Sequence, residues 1–274
     1  MATSSIHAMA VVEAGAVLGD DVQVGPFAYI ASGAVIGKGC RIGPHVTMHG
    51  CVTMGADCHV HAGAVLGDLP QDLGFEGKAS YVRIGDGCVL REGVTIHRGT
   101  KPGTATVIGN RCMFMVNSHA AHNVQMGDDV ILANGALLGG YVQVGNRVFV
   151  SGNALVHQFV RIGDVAMLGG GAAVSKDVPP YCTVRPLAAN RVQGLNVVGM
   201  RRAGISPAER TIIKQMFKML YVSDRNVSDT LTAMQTEDLA AAPAAKAFVD
   251  FVAASERGVC GYERRASRSH TEED

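Results

Sequence analysis

A general base at neutral pH is most readily supplied by histidine, whose unperturbed pKa of about 6.5 suits proton transfer. The segment from Asn117 to Asn123 holds two histidines, His119 and His122, and two amides. Gly140 follows His122 by eighteen residues, and Gln158 follows Gly140 by eighteen more. Acyl transfer needs a base that deprotonates a hydroxyl and an N–H donor that stabilises an oxyanion. The spacing predicts both groups in one column if the chain repeats every eighteen residues.

A six-residue repeat predicts how these residues are positioned. Large apolar residues recur at every sixth position, a period that fits neither a helix nor an isolated strand. It is typical of a parallel β-helix made of hexapeptides. Glycine often follows the apolar residue, and we expect it to permit a tight turn with positive φ. The positions in this register are Ile6, Val12, Leu18, Val24, Ile30, Ile36, Ile42, Met48, Met54, Val60, Leu66, Ile84, Leu90, Ile96, Ile108, Phe114, Ala120, Met126, Leu132, Leu138, Val144, Val150, Val156, Ile162, Leu168 and Val174.

The repeat predicts a β-helical domain over residues 1–190, interrupted by projecting loops at about 67–83 and 97–107. Residues 191–262 are expected to form a small helical domain. Ser206, Pro207 and Glu209 have the order of a capping box with Pro at the first helical position. Further helices are expected over 228–234 and 244–252. Residues 263–274 are charged and are expected to be a disordered tail.

Composition gives no support for a nucleic-acid partner or for a membrane span. Lys and Arg together number 24, as do Asp and Glu, so net charge gives no argument for nucleic-acid binding. No apolar run is long enough for a membrane span, and the first residues lack the features of a signal peptide. We therefore expect a cytoplasmic protein without membrane insertion. The seven cysteines form no C-x-x-C pair, and we expect reduced core residues.

Several strings resemble the UDP-N-acetylglucosamine O-acyltransferase family, in order along nearly the whole chain. They are Gln71-Asp72-Leu73, Thr95-Ile-His-Arg-Gly-Thr100, His119-Ala-Ala-His122, Val156-His-Gln-Phe159, Asp177-Val-Pro-Pro-Tyr181 and Arg201-Arg202-Ala-Gly-Ile-Ser206. The resemblance implies a mainly β protein with a left-handed parallel β-helix and a small C-terminal α-helical domain. It also implies a homotrimer that transfers a 3-hydroxyacyl chain from acyl carrier protein to the 3-hydroxyl of UDP-N-acetylglucosamine, the first step of lipid A synthesis, with no cofactor or metal.

The same resemblance assigns roles to individual residues. His122 would be the general base, and the backbone N–H of Gly140 would stabilise the oxyanion. Asp72 and His119 would hold the sugar, while His157 would line the acyl side. Gly170 would limit acyl length, and a glycine there leaves room for a longer chain. The residues implied to contact the nucleotide or the pantetheine arm are His97, Gln158, Asn196 and Arg202.

The chain departs from the family pattern at several of these sites. Asn123 stands where Asp is usual after the catalytic histidine; an amide can orient an imidazole, but it cannot stabilise imidazolium by charge. Other departures are Pro70 for Asn, Gly74 for Lys, Tyr141 for His and Ala203 for Arg. They leave room for a modified acceptor, such as the 3-amino analogue of the sugar nucleotide.

A basic stretch is a second feature that bears on the substrates. From Val178 to Pro207 there is no acidic residue, and four arginines are present: Arg185, Arg191, Arg201 and Arg202. This charge suits a diphosphate and an acidic carrier protein, and it is equally compatible with a solvated basic edge.

Three other functions are compatible with a hexapeptide β-helix. The sibling N-acyltransferase that acts on UDP-3-O-acyl-glucosamine also has a His-Asn pair, but its family carries an extra N-terminal domain, whereas the repeat in this chain starts at Ile6. A zinc enzyme would need three converging histidines; His119 and His122 could supply two, and no clear third is visible. A non-catalytic scaffold predicts neither the polar strip nor the interrupting loops.

Overall fold

The computed structural model describes residues 4–236, 239 and 242–262. Its first part is a parallel β-helix with three flat faces, A, B and C, which the chain visits in turn. Most strands have only two residues, of which the first points outward and the second inward. Gln23 on face A pairs with Arg41 in the next coil, so one regular coil takes eighteen residues. The predicted six-residue repeat is therefore confirmed.

The strands of each face pair in parallel along most of the β-helix. Face A consists of Ser5–Ile6, Gln23–Val24, Arg41–Ile42, His59–Val60, Val89–Leu90, Met113–Phe114, Ile131–Leu132, Phe149–Val150, Met167–Leu168, Cys182–Val184, Arg191–Leu195 and Gly261–Tyr262. Face B consists of Val11–Val12, Tyr29–Ile30, Thr47–Met48, Val65–Asp68, Thr95–His97, His119–Ala120, Leu137–Leu138, Leu155–Val156 and Ala173–Val174. Face C consists of Val17–Leu18, Val35–Ile36, Val52–Met54, Tyr81–Ile84, Ala105–Ile108, Gln125–Met126, Gln143–Val144 and Arg161–Ile162.

Two kinds of inward position fill the core. The predicted register supplies the large side chains, among them the fully buried Phe114, Leu132 and Leu138. A second buried position lies two residues earlier in each hexapeptide and is occupied by smaller side chains, such as Ala136 and Ala154. Alternation of large and small residues lets successive layers interdigitate at high density. Four cysteines, Cys40, Cys58, Cys88 and Cys112, occupy this second position, which confirms them as free core residues.

The glycines that follow the inward apolar residues were predicted to permit positive φ, and for most of them this reason was wrong. Positive φ falls two residues further on, at positions such as Asp21 (60°) and Asn153 (54°), and not at Gly19 or Gly37. The glycines directly after the inward residue instead allow close approach of two coils. A β-carbon on Gly19 would lie 2.6 Å from the backbone nitrogen of Lys38 in the next coil. At most of these positions, small size rather than conformational freedom is therefore required.

The projecting loops are shorter than expected. Strands extend to Asp68 and resume at Tyr81, and they extend to His97 and resume at Ala105, so the loops span residues 69–80 and 98–104. The ladder slips by one residue where Asp68 pairs with His97. Such irregularities re-aim side chains at the end of a strand, and this one does so beside the predicted site.

The C-terminal part contains α1 (Val197–Arg202), α2 (Pro207–Tyr221), α3 (Val227–Thr236) and α4 (Pro243–Ala253). The capping box at Ser206 and the two later helices are confirmed. Helix α1 was not predicted, and the expectation of a purely helical segment was wrong at both ends. Arg191–Leu195 turns back antiparallel to Cys182–Val184, and Gly261–Tyr262 then extends the same sheet.

A buried ion pair joins the helices to the β-helix. Arg161 Nε lies 3.3 Å from Asp177 Oδ2, and the Arg161 guanidinium donates to the carbonyl oxygens of Phe251 and Ala254 at the end of α4. It also lies over the Phe251 ring. Asp177 is 1% exposed and accepts a further hydrogen bond from Ser255 Oγ. These contacts attach the end of α4 to face C.

Residues 263–274, predicted to be a disordered tail, lie outside the described residues. Within the described part of the chain, no helix is both long and apolar enough to span a membrane.

Candidate active site

The predicted column of His122, Gly140 and Gln158 is present at the corner between faces B and C. The backbone N–H of Tyr141 donates to the His122 carbonyl at 3.0 Å, and that of Phe159 donates to the Gly140 carbonyl at 2.9 Å. The three residues therefore occupy the same position in successive coils. The imidazole of His122 packs directly against the α-carbon of Gly140, where a β-carbon would come within 2.5 Å of Nε2.

Gly140 offers a backbone donor beside this ring. Its carbonyl accepts the hydrogen bond from Phe159, while its N–H has no acceptor among the described residues. A free N–H next to an imidazole nitrogen is the arrangement that can hold a negative oxygen while a base acts on the neighbouring atom. His122 is only 8% exposed, so water has limited access to the pair.

The other side of the His122 ring meets a hydrogen-bond network. His122 Nδ1 lies 3.3 Å from Asn123 Oδ1, which also lies 2.9 Å from the backbone nitrogen of Thr100 and 3.0 Å from its hydroxyl. The Thr100 hydroxyl is 2.8 Å from the hydroxyl of Tyr141. The ring of Tyr141 meets the His122 ring edge-on and stacks on Phe159. The second projecting loop thus contacts the corner that holds His122 through Thr100.

A pair of neutral histidines lies next to the corner, on face B. The His97 and His119 rings meet edge-on at 4.9 Å, and His119 Nδ1 is 2.7 Å from Thr95 Oγ1. Burial and the neighbouring His97 lower the pKa of His119 to about 4. Burial also lowers the pKa of His97, although the Asp68 carboxylate opposes this shift. Both rings are therefore uncharged at neutral pH and available as hydrogen-bonding groups.

A groove of about 510 Å³ runs along the outside of face B. Its floor carries Leu137, Leu155 and Ala173, and its polar margin includes His119 and His157. Leu137 and Leu155 are 40% and 47% exposed, although both are large and apolar. An apolar floor bordered by a few polar groups is typical of a site for a hydrocarbon ligand.

Gly170 lies at the corner between faces A and B, three residues before the strand Ala173–Val174 that ends the groove. A β-carbon there would meet only the carbonyl oxygen of Gly152, at 3.7 Å. A larger side chain could therefore be accommodated and would occupy space beside the groove. Gly170 is at the other end of face B from the corner that holds His122.

The first loop places polar groups at the margin of the groove. Gln71 lines the groove together with His119, and Phe75 packs under the guanidinium of Arg98. Asp72 is exposed, and its carboxylate accepts a hydrogen bond from the N–H of Gly74. The carboxylate therefore has free acceptor capacity next to the groove.

Four further residues were predicted to contact the substrates: His157, Gln158, Asn196 and Arg202. His157 and Gln158 are exposed two coils beyond His122, and the Gln158 carbonyl accepts from Arg257. Asn196 caps α1: its amide oxygen accepts from Gly199 N–H, and its amide nitrogen donates to the Val165 carbonyl. The side chain of Asn196 thus has a structural role. Arg202 is exposed in the last turn of α1.

The structure adds residues that the sequence did not single out by role. Thr95 and Thr100 belong to a string already noted, but their contacts to His119 and Asn123 cross an interrupted part of the repeat. Thr106 is buried and links Asn123 N–H to the His97 carbonyl. The available signal was a threonine at the small inward position of face C, where the other coils have Ala or Val.

Within residues 4–236, 239 and 242–262, no group of three or more His, Cys, Asp or Glu side chains is arranged to hold a metal ion.

The fold and this corner define the class of hexapeptide-repeat transferases. The model of the bacterial transferase hexapeptide family (six repeats) matches residues 15–50, 33–68 and 105–140. A second model, domain 2 of UDP-N-acetylglucosamine O-acyltransferase, matches residues 177–260. The chain belongs to the UDP-N-acetylglucosamine acyltransferase family; it is an acyltransferase with a left-handed parallel β-helix.

Solved structures of family members match nearly the whole chain. The UDP-N-acetylglucosamine acyltransferase of Bacteroides fragilis 9343 is 35% identical, with a TM-score of 0.88 over 93% of this chain and 99% of that one. The Francisella novicida enzyme is 33% identical, with a TM-score of 0.90 over 95% of each chain. The Arabidopsis enzyme is 32% identical, with a TM-score of 0.80 over 93% of this chain and 99% of that one.

Proposed function

We propose that this acyltransferase moves a 3-hydroxyacyl chain from acyl carrier protein to the 3-hydroxyl of UDP-N-acetylglucosamine, the first step of lipid A biosynthesis. The observation that carries the proposal is the packing of His122 against Gly140, which puts a basic nitrogen and a free N–H donor side by side. The Bacteroides and Francisella family members are named for the same sugar nucleotide.

The reaction follows from these two groups. His122 Nε2 takes the proton of the sugar hydroxyl as its oxygen attacks the thioester carbonyl carbon. The carbonyl oxygen becomes an oxyanion, which the Gly140 N–H stabilises. The intermediate then collapses: the carbon–sulfur bond breaks, and the departing pantetheine thiolate takes the proton from the His122 imidazolium. The products are the sugar ester and the free carrier thiol.

The surrounding groups supply binding. The neutral His119 and the free carboxylate oxygens of Asp72 suit the hydroxyls of the sugar. The apolar floor of the face B groove suits the acyl chain, and Gly170 at its far end is the proposed limit on chain length. His97 is proposed to contact the nucleotide or the pantetheine arm. No cofactor is part of this scheme, and we place the reaction in the cytoplasm.

We also propose a homotrimer. Arg202 is exposed in α1 and has no contact with the corner that holds His122 of the same chain, so a neighbouring copy would bring it to the ligand. Light scattering should give three times the 28.6 kDa chain mass. Co-expression of His122→Ala with Arg202→Ala tests the shared site. Mixed oligomers should recover activity that neither variant has alone, and no recovery would argue for a site within one chain.

A transfer assay tests the reaction itself. The purified protein is given 3-hydroxyacyl carrier proteins of several lengths, with UDP-N-acetylglucosamine and its 3-amino analogue as competing acceptors. Acylation of the hydroxyl supports the proposal. Acylation of the amine alone would make the product an amide, and Asn123 and Tyr141 would be the first residues to examine. No transfer to either acceptor would overturn the proposal, and UDP-3-O-acyl-glucosamine would be the next acceptor to test.

A further inference from the structure

The amide of Asn123 has one defined orientation. The backbone N–H of Thr100 can only donate a hydrogen bond, so the Asn123 atom 2.9 Å from it must be the oxygen. The Thr100 hydroxyl lies 3.0 Å from the same oxygen. A turn of the amide by 180° would place the NH₂ group against the Thr100 N–H and leave two donors facing each other in a buried site. The backbone N–H and the hydroxyl of Thr100 therefore select this orientation together, and loss of the hydroxyl leaves the oxygen held by one hydrogen bond instead of two.

The direction of the remaining hydrogen bonds follows from this one. The Thr100 hydroxyl uses its only proton on the Asn123 oxygen, so it accepts from the Tyr141 hydroxyl at 2.8 Å. Stacking of Tyr141 on Phe159, with ring centroids 5.0 Å apart, holds the phenol in place. A chain of donors thus runs from Tyr141 through Thr100 to Asn123, and each bond polarises the next.

The end of this chain determines the tautomer of His122. The Asn123 oxygen can only accept, so the His122 Nδ1 that lies 3.3 Å from it carries the proton. Nε2, on the side that faces Gly140, then has the free lone pair. A carboxylate at position 123 would do the same in either orientation because its two oxygens are equivalent. An amide does so in only one orientation, which makes the Asn123 side chain dependent on its neighbours.

We propose that Thr100 and Tyr141 are positioning residues that lock the Asn123 amide oxygen toward His122 and thereby keep the base in its Nε2-unprotonated tautomer. The inference rests on the proposed role of His122 as general base. It explains how a neutral amide can stand where the resemblance leads one to expect a carboxylate. It also predicts that Thr100 and Tyr141 are no longer required when residue 123 is an aspartate, because the two carboxylate oxygens are equivalent.

The test combines two variants with two backgrounds. Thr100→Val and Tyr141→Phe each remove one hydroxyl and keep the shape of the side chain. In the native background, each should lower kcat by about 3- to 10-fold, the equivalent of one hydrogen bond, with KM nearly unchanged. In the Asn123→Asp background, the same changes should alter kcat by less than about twofold. Thr53→Val, at an exposed strand position on face C, is the matched control in both backgrounds.

A second readout does not depend on turnover. Long-range proton–nitrogen NMR on protein labelled with ¹⁵N-histidine reports the tautomer of His122, assigned by its loss in His122→Gln. The native protein should have the proton on Nδ1, and Thr100→Val should produce a mixture that Asn123→Asp restores. Tyr141→Phe provides the same comparison if Thr100→Val does not fold.

The outcomes separate this inference from the proposed reaction. An unchanged tautomer in both variants would overturn the inference, as would an equal loss of kcat in the native and Asn123→Asp backgrounds, which would indicate packing alone. A protein that transfers no acyl group but shows the tautomer shift would retain the positioning role and lose the proposed function. Acyl transfer without the tautomer shift would support the proposed function and overturn the positioning role.

Discussion

The His122 imidazole occupies the space that a side chain on Gly140 would need, with the Nε2 edge of the ring over the glycine α-carbon. The two residues are eighteen positions apart in sequence and one coil apart in space. The coil spacing thus sets the distance between the proposed base and the proposed oxyanion donor. The backbones of the two residues cannot shift relative to each other without breaking hydrogen bonds between the coils.

Removal of the base should abolish turnover and spare the fold. His122 points away from the apolar column, where Ala120 is the inward residue of the same coil. We expect His122→Ala to lower kcat by at least about 10²- to 10⁴-fold, the usual contribution of a general base. Steady-state kinetics measure the loss, and circular dichroism and light scattering check the fold and the assembly. A variant that fails to fold would show instead that the ring is structural.

Addition of one methyl group at position 140 should displace the ring. The β-carbon of Gly140→Ala would overlap the His122 imidazole, so activity should fall toward the level of His122→Ala. Gly152→Ala is the matched control, since its β-carbon would meet only the Asn134 carbonyl, at 3.4 Å. We expect the control to retain kcat within about twofold. Full activity in Gly140→Ala would mean that the catalytic geometry differs from the one described.

A large residue at position 170 should shorten the preferred acyl chain. Gly170 has open space around its α-carbon and lies three residues before Ala173, which lines the face B groove. Gly170→Met adds an apolar side chain that competes with the far end of the hydrocarbon. The measurement is kcat/KM for a series of 3-hydroxyacyl carrier proteins, with Gly152→Ala as the control. An unchanged length profile would remove Gly170 from this role.

The pair of His97 and His119 should make the fold sensitive to acid. The pKa of His119 is lowered from 6.5 to about 4 by burial and by His97, so the unfolded chain takes up a proton more readily than the folded one. Stability is then lost as the pH falls from about 6.5 to about 4, by at most about 3 kcal/mol. His119→Asn should lose less stability over this range. Thermal denaturation across the range measures it, with His59→Asn on face A as the control; equal acid sensitivity would contradict the shift.

The buried ion pair should be essential for attachment of the helices. Asp177→Asn removes the charge that faces Arg161 and leaves the guanidinium without a carboxylate, which costs about 3 to 5 kcal/mol in buried pairs. Asp250→Asn makes the same change in an exposed pair with Lys246 and should cost less than about 1 kcal/mol. Chemical denaturation gives both values. Equal effects would show that the Arg161 pair is held mainly by its other hydrogen bonds.

The repeat made much of the fold predictable. Twenty-six apolar residues at six-residue spacing determine where each coil begins. This spacing alone predicts that His122, Gly140 and Gln158 lie in one column. The capping box at Ser206 was equally local, because Pro207 and Glu209 lie within the same turn. Features whose cause lies within one coil or one turn could be read from the residues.

Contacts that cross an interruption could not be read in this way. Thr100 reaches Asn123 from a projecting loop, and no period relates their numbers. The strand Arg191–Leu195 forms because it meets the edge of Cys182–Val184, so pairing rather than local pattern decides it. Likewise, the need for a glycine at position 19 is visible only in the folded chain, where the backbone of Lys38 lies against it.

The two ends of the β-helix differ, and this asymmetry bears on how the protein could be redesigned. The last coils are closed by the strand Arg191–Leu195 and the helices, whereas the first described coil leaves the inward residue Ile6 about half exposed. Each coil touches only its neighbours, so changes at one end are felt weakly at the other. We expect that an additional eighteen-residue coil inserted before Ser5 would lengthen the β-helix and leave the corner that holds His122, several coils away, unchanged.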